Sequence, residues 1–323
     1  MEAVEERLAG VLGEARDPCV REIVDFLLEA PGKRIRPALV VLSAEAASAS
    51  RADGFGESER VWVDVATAVE LIHMASLVHD DLIDAATVRH HRSSINARWG
   101  GPVSIALGDY LCSKAFQLAT ACENPRLLAV LGSGLSAMCE GELVQVYGRR
   151  DLDVSESDCL AVAEKKTAAL FGACCGVGAV AADADPMTRS ALQQFGLHIG
   201  IAFQILDDCR DLLSDQQRLG KRPAQDLLAG DATLPVVHLL GYCRREGLEG
   251  TGSGGFTLEG IDLARIRELF HLSGGDARIR RLVGSHLSRA KQQLQRLAVS
   301  DFAQALARFA DCIGATVSMI LAR

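Results

Sequence analysis

The chain has 323 residues, of which 49% are hydrophobic and 24% charged, enough apolar material for a sizeable core and too much for a disordered polymer. Its 34 Lys and Arg against 42 Asp and Glu leave a formal charge of −8, which excludes the broad phosphate neutralisation of a nucleic-acid binder while allowing local basic clusters to hold a small anion. Ten cysteines form no CxxC pair and most lie in apolar helical context, which favours reduced core thiols of a cytoplasmic protein over a disulfide framework, and aromatics at only 5% favour helix over sheet.

In chain order, the acidic, amphipathic start MEAVEERLAGVLGEA lacks the basic and apolar regions of a signal peptide. Leu8 and Leu12, then Ile23, Phe26 and Leu27, predict two opening helices. A polar loop at 47–58 precedes a long predicted helix over 61–86, followed by helices near 104–121 and 126–147. The loop RRDLDVSES (149–157) ends in an N-cap at Ser155 or Ser157 and leads into helices over 155–182 and 186–213. A long polar segment with Gly and Pro fills 214–235, a length that marks functional loops. A helix at 234–245, a flexible connector at 249–257 and two or three further helices complete the chain, with no alternating strand pattern. The apolar run TAALFGACCGVGAVAA falls short of the ~20 residues that span a bilayer, and its Gly and Ala predict close helix packing. The expectation is a single all-α domain over 1–323 with no transmembrane segment, leaving room for peripheral membrane contact.

Within the predicted helix 61–86 stands HDDLID, and FQILDDCRD repeats its spacing 127 positions later. Asp80 and Asp84 share a helix face, as do Asp207 and Asp211, while Asp81 and Asp208 lie one position off. Stacked carboxylates repel, so a cation belongs between them, and hard oxygen donors without His or Cys suit Mg2+. One such motif is readily a solvated helix face; two in apolar surroundings predict carboxylate-bearing helices facing each other across a cavity, with metal ions gripping a diphosphate. Cations stand nearby: Lys33, Arg34 and Arg36 in GKRIRP, Arg89 and Arg92 in RHHR, Lys165 and Lys166 before Thr167, and Lys221 and Arg222 in the long loop. Any one cluster alone would read as solvated surface; four flanking two acidic motifs predict anion sites. A lone histidine such as His73 is more often a satisfied core residue, but its place two turns before Asp80 on the same face narrows that margin in favour of the cavity, which Gln204, three before Asp207, would also face.

These elements, taken together, resemble the head-to-tail trans-polyprenyl diphosphate synthases of the isoprenoid synthase fold. GKRIRP, ELIHMASLVHDDLID, ALGDYL, GELVQ, KKTAALF, FQILDDCRD and GK followed by DLLAGDATLP occur in the family's order from Gly32 to Pro235. The resemblance implies a helical bundle around a central cavity and assigns roles. Asp80, Asp84 and Asp207 would bind Mg2+ with Asp81, Asp208 and Asp211 in support; Lys166, Thr167, Gln204, Lys221 and Arg89 would hold the allylic diphosphate; Lys33, Arg36 and His73 would hold isopentenyl diphosphate. It also implies a homodimer. The chain departs from the family twice. Arg89-His90-His91 stands where the family has Arg-Arg-Gly, so an isopentenyl diphosphate contact is lost unless protonated His90 or Arg92 replaces it. GKRPAQD stands for GKPxGxD, keeping Lys221 and Asp226 at their spacing but altering the loop.

The implied chemistry is ionisation of an allylic diphosphate, its leaving charge neutralised by Mg2+ and Lys or Arg, then attack by the double bond of isopentenyl diphosphate in a dry cavity. The released diphosphate is the expected base. Ala75 and Ser76, one turn before Asp80, are both small, which predicts an open tunnel and a product of geranylgeranyl length or longer; Met74, Leu111, Cys112 and Ala115 are the residues able to narrow it. A class I terpene synthase and a non-catalytic, diphosphate-binding or regulatory subunit are the rivals. The duplicated motif and GKRIRP oppose the first, and the intact aspartates oppose the second.

Overall fold

The computed structural model describes residues 1–30, 32–49, 56–89, 92–149, 151, 153–213, 224–248 and 263–321. The apolar spacing becomes helix at nearly every predicted place: α1 (Glu2–Gly13), α2 (Pro18–Leu28), α3 (Ile35–Ser48), α4 (Gly56–Ile83), α5 (Ile95–Trp99), α6 (Gly101–Ala121), α7 (Pro125–Tyr147), α8 (Glu156–Ala163), α9 (Ala169–Ala181), α10 (Pro186–Leu213), α11 (Gln225–Ala229), α12 (Leu234–Arg245), α13 (Leu263–Leu272), α14 (Gly275–Leu294) and α15 (Asp301–Ile320). The fold class is all-α, as expected. The exception is a two-residue antiparallel pair, β1 (Val88–Arg89) and β2 (Arg92–Ser93), too short for an alternation to register in the sequence.

The structure differs from the sequence reading in several places, among them the short helices α5 and α11, the latter within the stretch read as a polar loop. Helix α3 follows GKRIRP directly; it buries Leu39, Val40, Ser43, Ala44 and Ala46 on several sides, so no single apolar stripe announces it. The helix expected over 155–182 is interrupted by a π-helical turn at Glu164–Ala168. Its start is as predicted, with Ser155 and Asp158 forming a reciprocal capping box. Of the ten cysteines expected in the core, all are free thiols, but Cys19, Cys139 and Cys312 are exposed. The connector at 249–257 lies outside the described residues.

The chain divides into two compact units, each assembled from three separated stretches. Unit 1 comprises 1–135, 170–196 and 293–307. In it α4 is the central helix, packed by α1, α3 and α6. Leu8 and Leu12, Leu39 and Val40, Val65 to Ile72, and Leu111 and Ala115 meet in its core. The Gly- and Ala-rich run becomes α9, buried continuously from Leu170 to Val180, which is the close packing its composition predicts. Unit 2 comprises 136–169, 197–292 and 308–323. It is cored by Ile205, Leu206 and Cys209 of α10, Leu239 and Leu240 of α12, Phe270 of α13, and Ile279 and Val283 of α14. Glu156 at the start of α8 ties this unit together, accepting from Arg278 Nε at 2.8 Å with His238 Nε2 at 3.2 Å.

Among the described residues, two helices are long and apolar enough to cross a membrane by composition, Val61–Ile83 within α4 and Pro125–Tyr147, which is α7. The first is 67% buried inside the protein and the second only 22%.

Candidate functional site

Both aspartate motifs lie at the C-terminal ends of helices of 28 residues, α4 and α10. Near the end of α4 the negative end of the macrodipole disfavours carboxylates, and in both motifs the stacked carboxylates repel one another. Helix α4 ends because Ala85 takes a left-handed backbone with φ of 48°; its N–H bonds Leu82 O and that of Ala86 bonds Asp81 O at 2.8 Å. The chain then turns through β1 and brings Arg89 back onto the motif. Arg89 pairs with the buried Asp81, Nε donating to both carboxylate oxygens at 2.8 Å. Asp80 is half-buried and Asp84 exposed.

The basic cluster of unit 1 does not act as one patch. Lys33 is exposed. Arg34 is drawn inward to Glu70 and Glu5. Arg36 lies with its guanidinium 4.8 Å from the Phe171 ring centre and Nη1 2.9 Å from His73 Nε2. Arginine only donates, so Nε2 accepts and the His73 proton sits on Nδ1. Burial, with Arg36, Arg89 and Arg34 adding to it, pushes His73 well below the ordinary histidine range and keeps it neutral. Arg92, a candidate replacement for the family's second Arg, is engaged by Glu29 at 2.5 Å and stacks 4.6 Å over Phe26; His90 lies outside the described residues.

Ala75 is fully buried, whereas Ser76 is half-buried and its hydroxyl donates to His73 O at 2.8 Å. Gly108 lies against the His79 ring and Gly101 against Leu82, an antiparallel register that sets Ala75 and Ser76 level with Leu111 and Cys112 of α6. Of the two small residues, Ser76 is the one with surface left open.

In unit 2 the π-helical turn carries Lys165, Lys166 and Thr167. Its packing partner is Gly141 of α7: a Cβ there would stand 2.4 Å from Lys166 N and 2.7 Å from its Cα, so only glycine admits the turn. Such insertions recur at functional sites because they re-aim side chains within a helix. Here Thr167 Oγ1 donates to Gln204 Oε1 at 2.5 Å, and Gln204 Nε2 donates to Asp208 Oδ1 at 2.6 Å. Lys166 forms an ion pair with Glu142, a residue of GELVQ that the sequence reading quoted without a role. Burial, opposed by the Gln204 bond and helped by the charges of Asp207 and Asp211, pushes the Asp208 carboxyl up to about 7. Buried Asp211 accepts from Asp226 N at 3.0 Å, and Asp207 is exposed. Beyond this motif, Arg149 holds the buried Asp231 at 3.0 Å. Lys221 and Arg222 lie outside the described residues.

A cavity of about 240 Å³ opens within unit 2, lined by apolar residues such as Val144, Val154 and Val162 together with Lys166, Gln204 and Asp208. The donor set fits a hard divalent cation. Asp81, Asp208 and Asp211 are buried and accept hydrogen bonds; Asp80 is half-buried, and Asp84 and Asp207 are exposed, all of them hard oxygen donors of the kind a divalent cation takes.

A sequence model of the polyprenyl synthetase family matches residues 17–249. The chain is 33% identical over 320 residues to a short chain isoprenyl diphosphate synthase of Methanothermobacter thermautotrophicus, covering 97% of this chain and 95% of that one. It is 39% identical over 239 residues to heptaprenyl diphosphate synthase component 2 of Geobacillus stearothermophilus, covering 74% and 72%. The crystal structure of a polyprenyl synthase from Caulobacter crescentus, complexed with calcium and isoprenyl diphosphate, superposes with a TM-score of 0.85 at 30% identity over 97% of this chain and 94% of that one. The chain belongs to the polyprenyl synthetase family and is a prenyltransferase, a polyprenyl diphosphate synthase.

Proposed function

We propose that this synthase is Mg2+-dependent, joins isopentenyl diphosphate head-to-tail to an allylic diphosphate, and makes an all-trans product of geranylgeranyl length or longer. The observation that carries the proposal is that, in a chain of this family, each of two long helices stacks aspartates four residues apart on one face, a repulsion that a bound cation would relieve.

Asp80, Asp84 and Asp207 would hold the metal. Bound there, it would supply charge neutralisation to the leaving diphosphate. Arg89 and the Thr167–Gln204–Asp208 chain hold the supporting carboxylates in place. Lys166, Thr167, Gln204, Lys221 and Arg89 would bind the allylic diphosphate, Lys166 leaving Glu142 to do so. The unit 2 cavity, lined by Lys166, Gln204 and Asp208 together with apolar residues, supports binding of a diphosphate that carries a hydrocarbon. Lys33, Arg36 and His73 would bind isopentenyl diphosphate, neutral His73 offering no competing charge to Arg36.

The relatives named above range from short-chain to heptaprenyl synthases, so product length rests on the small Ser76 and on the absence of an aromatic beside it. A homodimer is supported by α7, whose Leu143, Val144 and Tyr147 are 69%, 51% and 95% exposed; an apolar face of this kind calls for a cover. A second reading, in which the active enzyme needs a different partner chain, is favoured by the likeness to a component 2. Incubating the purified chain with Mg2+, farnesyl diphosphate and labelled isopentenyl diphosphate, and weighing the products, tests all of this. Product beyond farnesyl supports the proposal; none without an added partner supports the second reading; metal-independent turnover sinks the role of the aspartates.

A further inference from the structure

We propose that Arg34 is a positioning residue rather than an anion ligand: held between Glu70 and Glu5, it sets the backbone that carries Lys33 and Arg36 at the isopentenyl diphosphate pole. The proposal rests on the reading that Arg36 and its neighbours form that pole.

Four observations agree. Arg34 has a left-handed backbone with φ of 50° and ψ of 35°, a conformation that disfavours a residue with a Cβ by about 1–2 kcal/mol and persists only where its surroundings hold it. Its guanidinium is held on both sides: Nη1 donates to Glu70 Oε1 at 2.7 Å, while Nε and Nη2 donate to Glu5 Oε1 and Oε2 at 2.6 and 3.2 Å. The side chains of Arg34 and Glu70 are 11% and 4% exposed, too enclosed for Arg34 to offer its fork to a diphosphate. The guanidinium folds back across Gly32, where a Cβ would stand 2.7 Å from Nη1. A side chain at Gly32 would therefore displace the Arg34 guanidinium from this position.

The geometry assigns each part a task. Glu70 lies on α4, three residues before His73, and Arg34 is the N-cap residue of α3, two residues before Arg36. The Arg34–Glu70 pair thus fastens the start of α3 to the helix that carries His73, and it holds the 2.9 Å contact between Arg36 and His73 in register. Glu5 brings α1 into the same clamp, supported by Arg7 on Asp64 at 2.5 Å. Truncating one partner leaves the other's buried charge uncompensated and frees the left-handed turn to relax.

The test compares Arg34→Gln, Arg34→Lys and Glu70→Gln with wild type in steady-state assays that vary each substrate separately. Arg34→Gln and Glu70→Gln should each raise KM for isopentenyl diphosphate about tenfold, with the allylic KM and kcat moving less than about twofold, because a displacement of order 1 Å costs that much or more at a binding group. Arg34→Lys keeps the charge but not the fork and should fall between. Should Arg34→Gln fail to fold, Glu70→Gln and Arg34→Lys, which preserve volume, carry the test. A lowered melting temperature with both KM values unchanged, or an equal rise in both, overturns the positioning role. Arg36→Gln in the same assay separates this from the underlying reading. If it leaves the isopentenyl diphosphate KM untouched, the pole itself is misassigned; if it raises that KM while the Arg34 and Glu70 variants do not, only the positioning role falls.

Discussion

The two aspartate motifs are one pattern at one kind of location, yet the units that carry them handle the buried middle carboxylate differently. In unit 1, Asp81 is met by a full charge, Arg89, returned by a tight turn and a two-residue strand. In unit 2, Asp208 is met by a neutral amide at the end of a hydrogen-bonded chain, and its charge stays disfavoured. An ion pair makes the first triplet largely self-sufficient. The second retains an electrostatic deficit that Lys166 offsets only in part, so metal should matter more to the stability of unit 2 than of unit 1.

The sharpest test of the comparison is kinetic. Asp80→Ala and Asp207→Ala remove carboxylates left at the surface, and each should lower kcat about a hundred- to thousandfold. Asp208→Asn, a change to a buried and already disfavoured charge, should cost clearly less; equal losses would erase the distinction between surface and buried carboxylates. Gly141→Ala pushes on Lys166 and Thr167 and should reduce kcat/KM for the allylic substrate about a hundredfold, leaving the isopentenyl diphosphate KM alone. A loss shared by both substrates would mean the π-helical turn serves the whole fold and not one pole.

Stability gives smaller effects of opposite sign. In metal-free protein, Asp81→Asn leaves Arg89 without its counter-charge and should cost about 1–3 kcal/mol, read as a lower midpoint in denaturant. Asp208→Asn removes a buried carboxylate crowded by Asp207 and Asp211, and should leave the midpoint unchanged or raised. The smallest expected effect lies away from the site. His286 faces His198 with the two Nδ1 atoms 3.3 Å apart; burial, His198 and Arg289 push it down to about 4. Its folded pKa lies below the unfolded one, so the stability that depends on neutral His286 is complete above about pH 6.5 and declines as pH falls toward about 4, where only the unfolded chain has bound the extra proton. His286→Gln should flatten that acid decline in a melting-temperature series; an unchanged slope would show that the pair does not couple to folding.

The helical class and most helix positions were legible from the residues alone, as was the stacking of carboxylates on which the proposed metal site rests, because periodicity, caps and i, i+4 spacing are local properties set by residues within a turn or two of each other. Ser155 as a cap, α4 and α10 as carriers of aspartates, and the buried Gly- and Ala-rich run were all legible in this way. The tertiary structure alone decided which charges are met from within. Arg34 and Arg92 read as anion ligands beside Lys33 and Arg36, yet carboxylates from 5, 70 and 29, far off in the chain, take them up. The interruption at Glu164–Ala168 was equally invisible, since its cause is Gly141 on another helix. The physical reason is the same in each case: a charge or a bulge is stabilised by what packs against it, and packing partners distant in sequence leave no local trace.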